Sequence, residues 1–302
     1  MRALFLWLAF STTANATTGL AWQWPEGEER RFYARTQLDL PEAMEVFGLN
    51  NHDSYASRVQ LELVIRCAPS GPATKTTFVV RCEIDDAAIQ ARPTSSSRGV
   101  TALVLPEWTS ILKDKAWIEL EQGSNGRVRL IDLEGTDKRI QRVQNVSENL
   151  RLLVARALAP LDLLLPKKGD DHGVGGWVQT ESNIYALPTP MGTYGSPQIT
   201  HTVQRTDGDV VMWTFHGEGT IAGGEQFGES SRVTAAITTD GSARFDTARG
   251  LLLESQYIAD GESTASAVKS EQGAVTYVQS TLIQYLPPDK PAPTLSVSGE
   301  LP

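Results

Sequence analysis

The sequence is short of cysteine, of basic clusters and of long apolar runs. Of its 302 residues only two are Cys, and 27 Lys+Arg stand against 36 Asp+Glu, for a net charge of -9. Without a cluster of Lys and Arg there is little to attract a nucleic acid or an anionic membrane surface, and neither is expected as a partner. No stretch after the N-terminus approaches the ~20 apolar residues that a membrane-spanning helix needs. Familiar catalytic and phosphate-binding patterns are missing as well. There is no His-Glu-x-x-His, Gly-x-Ser-x-Gly, Walker A loop, Gly-x-Gly-x-x-Gly or EF-hand loop. Ser110-Ile111-Leu112-Lys113 and Ser266-Ala267-Val268-Lys269 match Ser-x-x-Lys, but the companion elements of serine-lysine acyl transfer do not accompany them. No cofactor is expected. What remains is ordinary in composition, with 40% hydrophobic and 21% charged residues, enough for a packed core and too few charges for wholesale disorder.

The N-terminus reads as a secretory signal over residues 1–16. Arg2 gives the positive start, Ala3-Leu4-Phe5-Leu6-Trp7-Leu8-Ala9-Phe10 a short apolar core, and Ala14-Asn15-Ala16 small residues at the cleavage-defining positions. Cleavage near Ala16 predicts a periplasmic or secreted protein. The two cysteines suit that compartment. Val59, Leu61, Leu63, Ile65 and Cys67 alternate along one stretch, and Phe78, Val80, Cys82 and Ile84 along another, with Ser70-Gly71-Pro72 between them. Placing Cys67 opposite Cys82 also places Ile65 opposite Ile84, so a single register satisfies the thiols and the apolar face together. A structural disulfide is therefore expected. A metal site would need further ligands nearby.

Most of the chain reads as antiparallel β, in an N-terminal half over residues 17–166 and a C-terminal half over 167–286, with a Pro-rich tail over 287–302. Trp22 and Trp24 share a face before a turn at Pro25-Glu26-Gly27, and Phe32, Ala34, Thr36, Leu38 and Leu40 form an inner row. Hairpin signals stand at Asn125-Gly126, Asp207-Gly208 and Asp240-Gly241. The first predicts Ile118 opposite Leu133 and Leu120 opposite Ile131. Between the halves, Ile140, Val143, Leu150, Leu153, Val154, Ala157, Leu158 and Leu161 recur at spacings of three and four, with Asp137 as an N-cap and Pro160 near the end. That spacing predicts an amphipathic helix over residues 138–159. It either packs on a sheet or lids an apolar groove.

Of the four histidines, His201 and His216 fall on the two arms of the hairpin at Asp207-Gly208. On one side of that hairpin they would meet, and a carboxylate such as Glu218 would complete a metal site; a polar cross-strand pair needs no metal. His52 beside Asp53, and His172 beside Asp170-Asp171, read as loop residues.

The exported start, Asn125-Gly126-Arg127-Val128, Gly176-Trp177 after a polar linker, and Phe245-Asp246 followed by Gly250-Leu251 give a layout that resembles uncharacterised exported bacterial β-rich proteins. More distantly it resembles the periplasmic lipoprotein-carrier fold (the LolA/LppX-like family). That resemblance implies a curved antiparallel sheet wrapped around helices and holding acyl chains. The expected fold is α+β and predominantly antiparallel β, a curved sheet or incomplete barrel packed around one long amphipathic helix. The expected function is non-catalytic binding of an apolar or amphiphilic, lipid-like ligand, lined by Leu150, Leu153, Val154, Leu158, Leu161, Trp177 and Trp213. The alternatives are an envelope module that binds another protein, and a hydrolase with an unrecognised site.

Overall fold

A computed structural model describes residues 20–40, 57–71, 77–93, 103–104, 106–113, 116–123, 128–134, 150, 153–154, 156–161, 165, 175–179, 198–223, 231–267 and 275–295. The signal over 1–16, the Asn125-Gly126 turn, Asp137, Ile140, Val143, His52, His172 and the end of the tail lie outside these residues.

Period-2 alternation dominates the described chain, and it produces strands. They are β1 (Arg30–Leu40), β2 (Ser57–Pro69), β3 (Thr77–Pro93), β4 (Leu103–Val104), β5 (Trp117–Gly123), β6 (Val128–Glu134), β7 (Gly176–Gln179), β8 (Gln198–Asp207), β9 (Val210–Gly223), β10 (Ser231–Asp246), β11 (Leu251–Ala267) and β12 (Val275–Leu286). All pair antiparallel in one 12-stranded sheet of order β6-β5-β3-β2-β1-β12-β11-β10-β9-β8-β7, with β4 beside β3. The chain thus starts in the middle and meanders out to β6. It then crosses to the far edge at β7 and meanders back, until β12 docks on β1. The two halves are two wings of one sheet.

Among the described residues no long amphipathic helix is found, and the α+β expectation gives way to an almost wholly antiparallel β fold. Helix α1 (Pro106–Lys113) joins β4 to β5 and packs against β3, burying Leu112. In the crossing segment, Leu150, Leu153, Val154 and residues 156–158 are helical, and a 3-10 turn follows at Ala159–Leu161. The physical reason for the difference lies in burial. Leu150, Leu153, Val154, Arg156, Ala157, Leu158, Pro160 and Leu161 are all buried, the charged Arg156 included, where an amphipathic helix would turn a charged side chain to solvent. Pro160, with no backbone N–H, ends the helical turns. The 3-10 turn rests on β11 and β12, at the centre of the sheet.

One face of the sheet, the inner face, holds a continuous apolar cluster. It runs from Ile118 and Leu120 on β5, through Val59, Leu61, Leu63 and Ile65 on β2 and Phe32 and Leu38 on β1, to Trp213 and Phe215 on β9. Each such side chain contributes on the order of 1.5–3 kcal/mol through burial. The sheet is also strongly curved. Gln122 on β5 and Phe245 on β10 are six strands apart, which a flat sheet would separate by about 29 Å at ~4.8 Å per strand. Yet Trp24 Nε1 donates to Gln122 Oε1 at 2.7 Å, Trp24 stacks on Trp22 at 6.5 Å, and Trp22 meets Phe245 edge-on at 5.6 Å. Only a sheet curled around its inner face brings those strands so close.

The N-terminal segment that makes this bridge is fixed at several points. Glu28 N donates to Pro25 O and Gly27 has φ 76°, which gives the expected turn a left-handed residue that glycine tolerates. Arg30 is fully buried, donates to the carbonyls of Arg249 and Gly250, pairs with Glu28 and lies 4.7 Å over the Trp24 ring. Gln23 N donates to Gly250 O at 3.0 Å. Gly250 has φ 56°, and a Cβ there would stand 2.6 Å from the Gln23 nitrogen, so glycine serves both the turn and the approach.

Register agrees with the sequence in the disulfide hairpin, where Cys67 pairs with Cys82, Ile65 with Ile84, and the sulfurs are bonded. It differs elsewhere. Ile118 does face Leu133, but a bulge between Glu119 and Leu120 moves Leu120 from Ile131 to Leu130. Asp240-Gly241 forms no hairpin; β10 runs straight through it. A Cβ on Gly241 would lie 2.2 Å from the Phe215 ring, so this glycine serves the close approach of an aromatic side chain and not a turn.

Candidate functional site

The sequence-predicted residues meet on the inner face. Leu150, Leu153, Val154, Leu158, Leu161, Trp177 and Trp213 all belong to the same buried cluster, each at most 4% exposed. Trp177 on β7 stacks flat on His201 of β8, centroids 4.5 Å apart, and meets the Trp213 ring at 5.3 Å. His201 in turn touches Phe215 at 5.4 Å. This aromatic wall stands at one wing. Burial pushes the His201 imidazole down to a pKa of about 3, so it is neutral at ordinary pH.

Between the wings the inner face is polar, and sequence reasoning did not anticipate that. Thr36 of β1 and Thr281 of β12 are register partners with hydroxyls 3.1 Å apart. Gln279 Nε2 donates to Thr281 Oγ1 at 3.1 Å and to the Tyr257 hydroxyl at 2.7 Å. Arg156, from the crossing segment, donates to Gln279 Oε1. All five side chains are at least nine-tenths buried. Thr36 and Gln279 sit where the alternation demands inward-facing residues, and that was the available signal. Polar residues at inward positions mark a floor that is not plain core.

The histidine pair does not form. A bulge between Val203 and Arg205 pairs His201 with Phe215 and Thr200 with His216, so His201 points inward and His216 outward. His216 Nδ1 lies 2.8 Å from Asp240 Oδ1 and Nε2 is 3.5 Å from Glu218 Oε1. The hydrogen bond with Asp240 raises its pKa, with Glu218 adding to the effect. The trio is exposed, no serine bonds the imidazole, and no group of three His, Cys, Asp or Glu able to hold a metal occurs among the described residues. Neither the metal reading nor the hydrolase reading finds a site there.

The outer face carries two further features. A depression of about 290 Å³ on β10, β11 and β12 is lined by Asp240, Ser242, Gln256, Ile258 and Leu282, with Tyr257 and Thr281 also bordering it. On β1 and β2, Arg35 and Glu62 form a buried ion pair at 3.7 Å, and Gln60 Nε2 donates to Glu62 at 2.9 Å. Burial, followed by the neighbouring Glu62 charge, pushes the Tyr33 phenol up to about 12. Large exposed hydrophobics among the described residues are Val178 and Ile258, on strands four apart in the sheet, which do not amount to a patch. No helix among the described residues is long and apolar enough to cross a membrane.

No family model matches this chain, and no curated protein matches it. Among solved structures, P47 from Clostridium botulinum A2 is similar over 85% of this chain and 82% of its own length, at 8% identity and a TM-score of 0.16. A likeness at that level carries no argument about fold or function.

Proposed function

We propose that the protein is a non-catalytic binder of an amphiphilic, lipid-like ligand, held on the inner face of the curved sheet beside the crossing segment. One observation carries this reading: the interior is itself amphiphilic. A buried floor of Thr36, Thr281, Gln279 and Tyr257, met by Arg156, lies between apolar walls that include Trp177, Trp213, Leu153 and Leu161. A protein core that served stability alone gains little from such a floor, since each buried polar group must first lose its hydration. A ligand with a polar end and an apolar body suits both surfaces at once. The signal-like N-terminus supports a periplasmic or secreted location for this activity. Resemblance to the lipoprotein-carrier fold agrees with it.

The test is recovery of the ligand. Exported protein purified without detergent, then analysed by native mass spectrometry and by solvent extraction, carries a near-stoichiometric amphiphile. A ligand-free mass, together with no change in melting temperature on adding phospholipid or fatty acid, removes the proposal. Crosslinking of the same preparation to a single envelope protein would favour the interaction module instead.

A further inference from the structure

Among the buried inner-face polar atoms without a hydrogen-bond partner are Trp22 Nε1, Trp213 Nε1 and Ser255 Oγ. All three side chains are less than 2% exposed. Ala243 on β10 faces Trp213 on one side and Ser255 on the other, and two residues along the same face Phe245 carries the Trp22 ring against it. Alanine is the smallest side chain that this position can offer between the two orphan groups.

The chemistry of the trio is one-sided. An indole N–H donates and never accepts, so the two tryptophans cannot satisfy each other, and a hydroxyl can add a third donor. A buried donor left without an acceptor forfeits the hydration it lost on folding, and several such donors on one face call for an acceptor. That acceptor is uncharged. Arg30, the buried cation near Trp24, is already engaged by Glu28 and by the carbonyls of Arg249 and Gly250. A carboxylate or phosphate set against Trp22, Phe245 and Trp213 would lose its hydration with no cation in return.

We infer that Trp22, Trp213 and Ser255 form a subsite for a carbonyl oxygen of the ligand, so that the preferred ligands are amphiphiles with ester- or amide-linked chains. This rests on the amphiphile reading above and narrows it to a chemical class. The subsite selects against chains joined by ether or carbon linkages, because these leave the donors unmet.

The experiment compares two probes on the full mature chain, dipalmitoyl phosphatidylglycerol and its dihexadecyl ether analogue, which share headgroup and tail length and differ in the two carbonyls. Affinities are read by native mass spectrometry and by quenching of tryptophan fluorescence. Wild type prefers the diester by about tenfold. The double variant Trp213→Phe/Ser255→Ala, its fold checked by circular dichroism and cooperative melting, binds the diester and the ether to within about twofold of each other. Equal binding of both probes by wild type overturns the carbonyl subsite and assigns the three atoms to internal water only, while leaving the amphiphile reading standing. A preference that persists in the double variant also overturns it, because the carbonyl is then read elsewhere. Binding of neither probe removes the amphiphile reading itself.

Discussion

His201 illustrates how much a single side chain can impose on this fold. The folded imidazole takes a proton only near pH 3, whereas an unfolded one takes it near the ordinary 6.5. Between those values the unfolded state binds the extra proton, so stability falls as pH drops through that window, by up to ~1.4 kcal/mol per pH unit, and is unaffected above it. His201→Phe keeps the stack with Trp177 and Phe215 and removes the titration. Denaturant midpoints at pH 4.5 and 7.5 then differ less in the variant than in wild type. On the outer face, Glu62→Ala takes the opposing carboxylate from the buried Arg35 and costs about 3–5 kcal/mol, whereas replacing both by Met and Leu is close to neutral. Paired urea titrations of the two variants separate these outcomes. Gly241→Ala drives a methyl into the Phe215 ring and against the Gln256 carbonyl, and it lowers stability by about 2–4 kcal/mol in the same assay.

At the scale of elements, the disulfide hairpin was legible, and the failures have local causes. Cys67–Cys82 closes a 15-residue separation, and its reduction is expected to lower stability by about 3 kcal/mol, measured by urea titration with and without reductant. The register there followed from two residue pairs that agreed. The β8–β9 hairpin defeated the same reasoning because one extra residue, near Gln204, reverses which face each later side chain meets, and nothing in the residue types announces a bulge. At Asp240-Gly241 the turn signal was real in composition, but a strand interior needs glycine just as a turn does when a ring lies on the backbone. Spacing in the crossing segment matched the burial of its described residues and misjudged shape, since apolar residues three and four apart also suit short helical turns. The two indole N–H groups and the Ser255 hydroxyl carried no sequence signal, because only packing reveals that they lack partners.

For the whole molecule, the pairing of β1 with β12 decides cohesion. Nine register pairs, from Arg31 with Leu286 to Asp39 with Val278, join the two wings at the centre of the sheet. The wings therefore melt together, and calorimetry should show one cooperative transition with no separate step for residues 20–134. The seam also has a temporal side. During synthesis β1 emerges first, and its second neighbour arrives only after more than two hundred further residues have been made. Throughout that interval a pleated edge with a greasy underside stands open, and long-separation pairings of this kind form slowly. Until the final strand closes that gap, the open edges of two nascent copies can pair with each other.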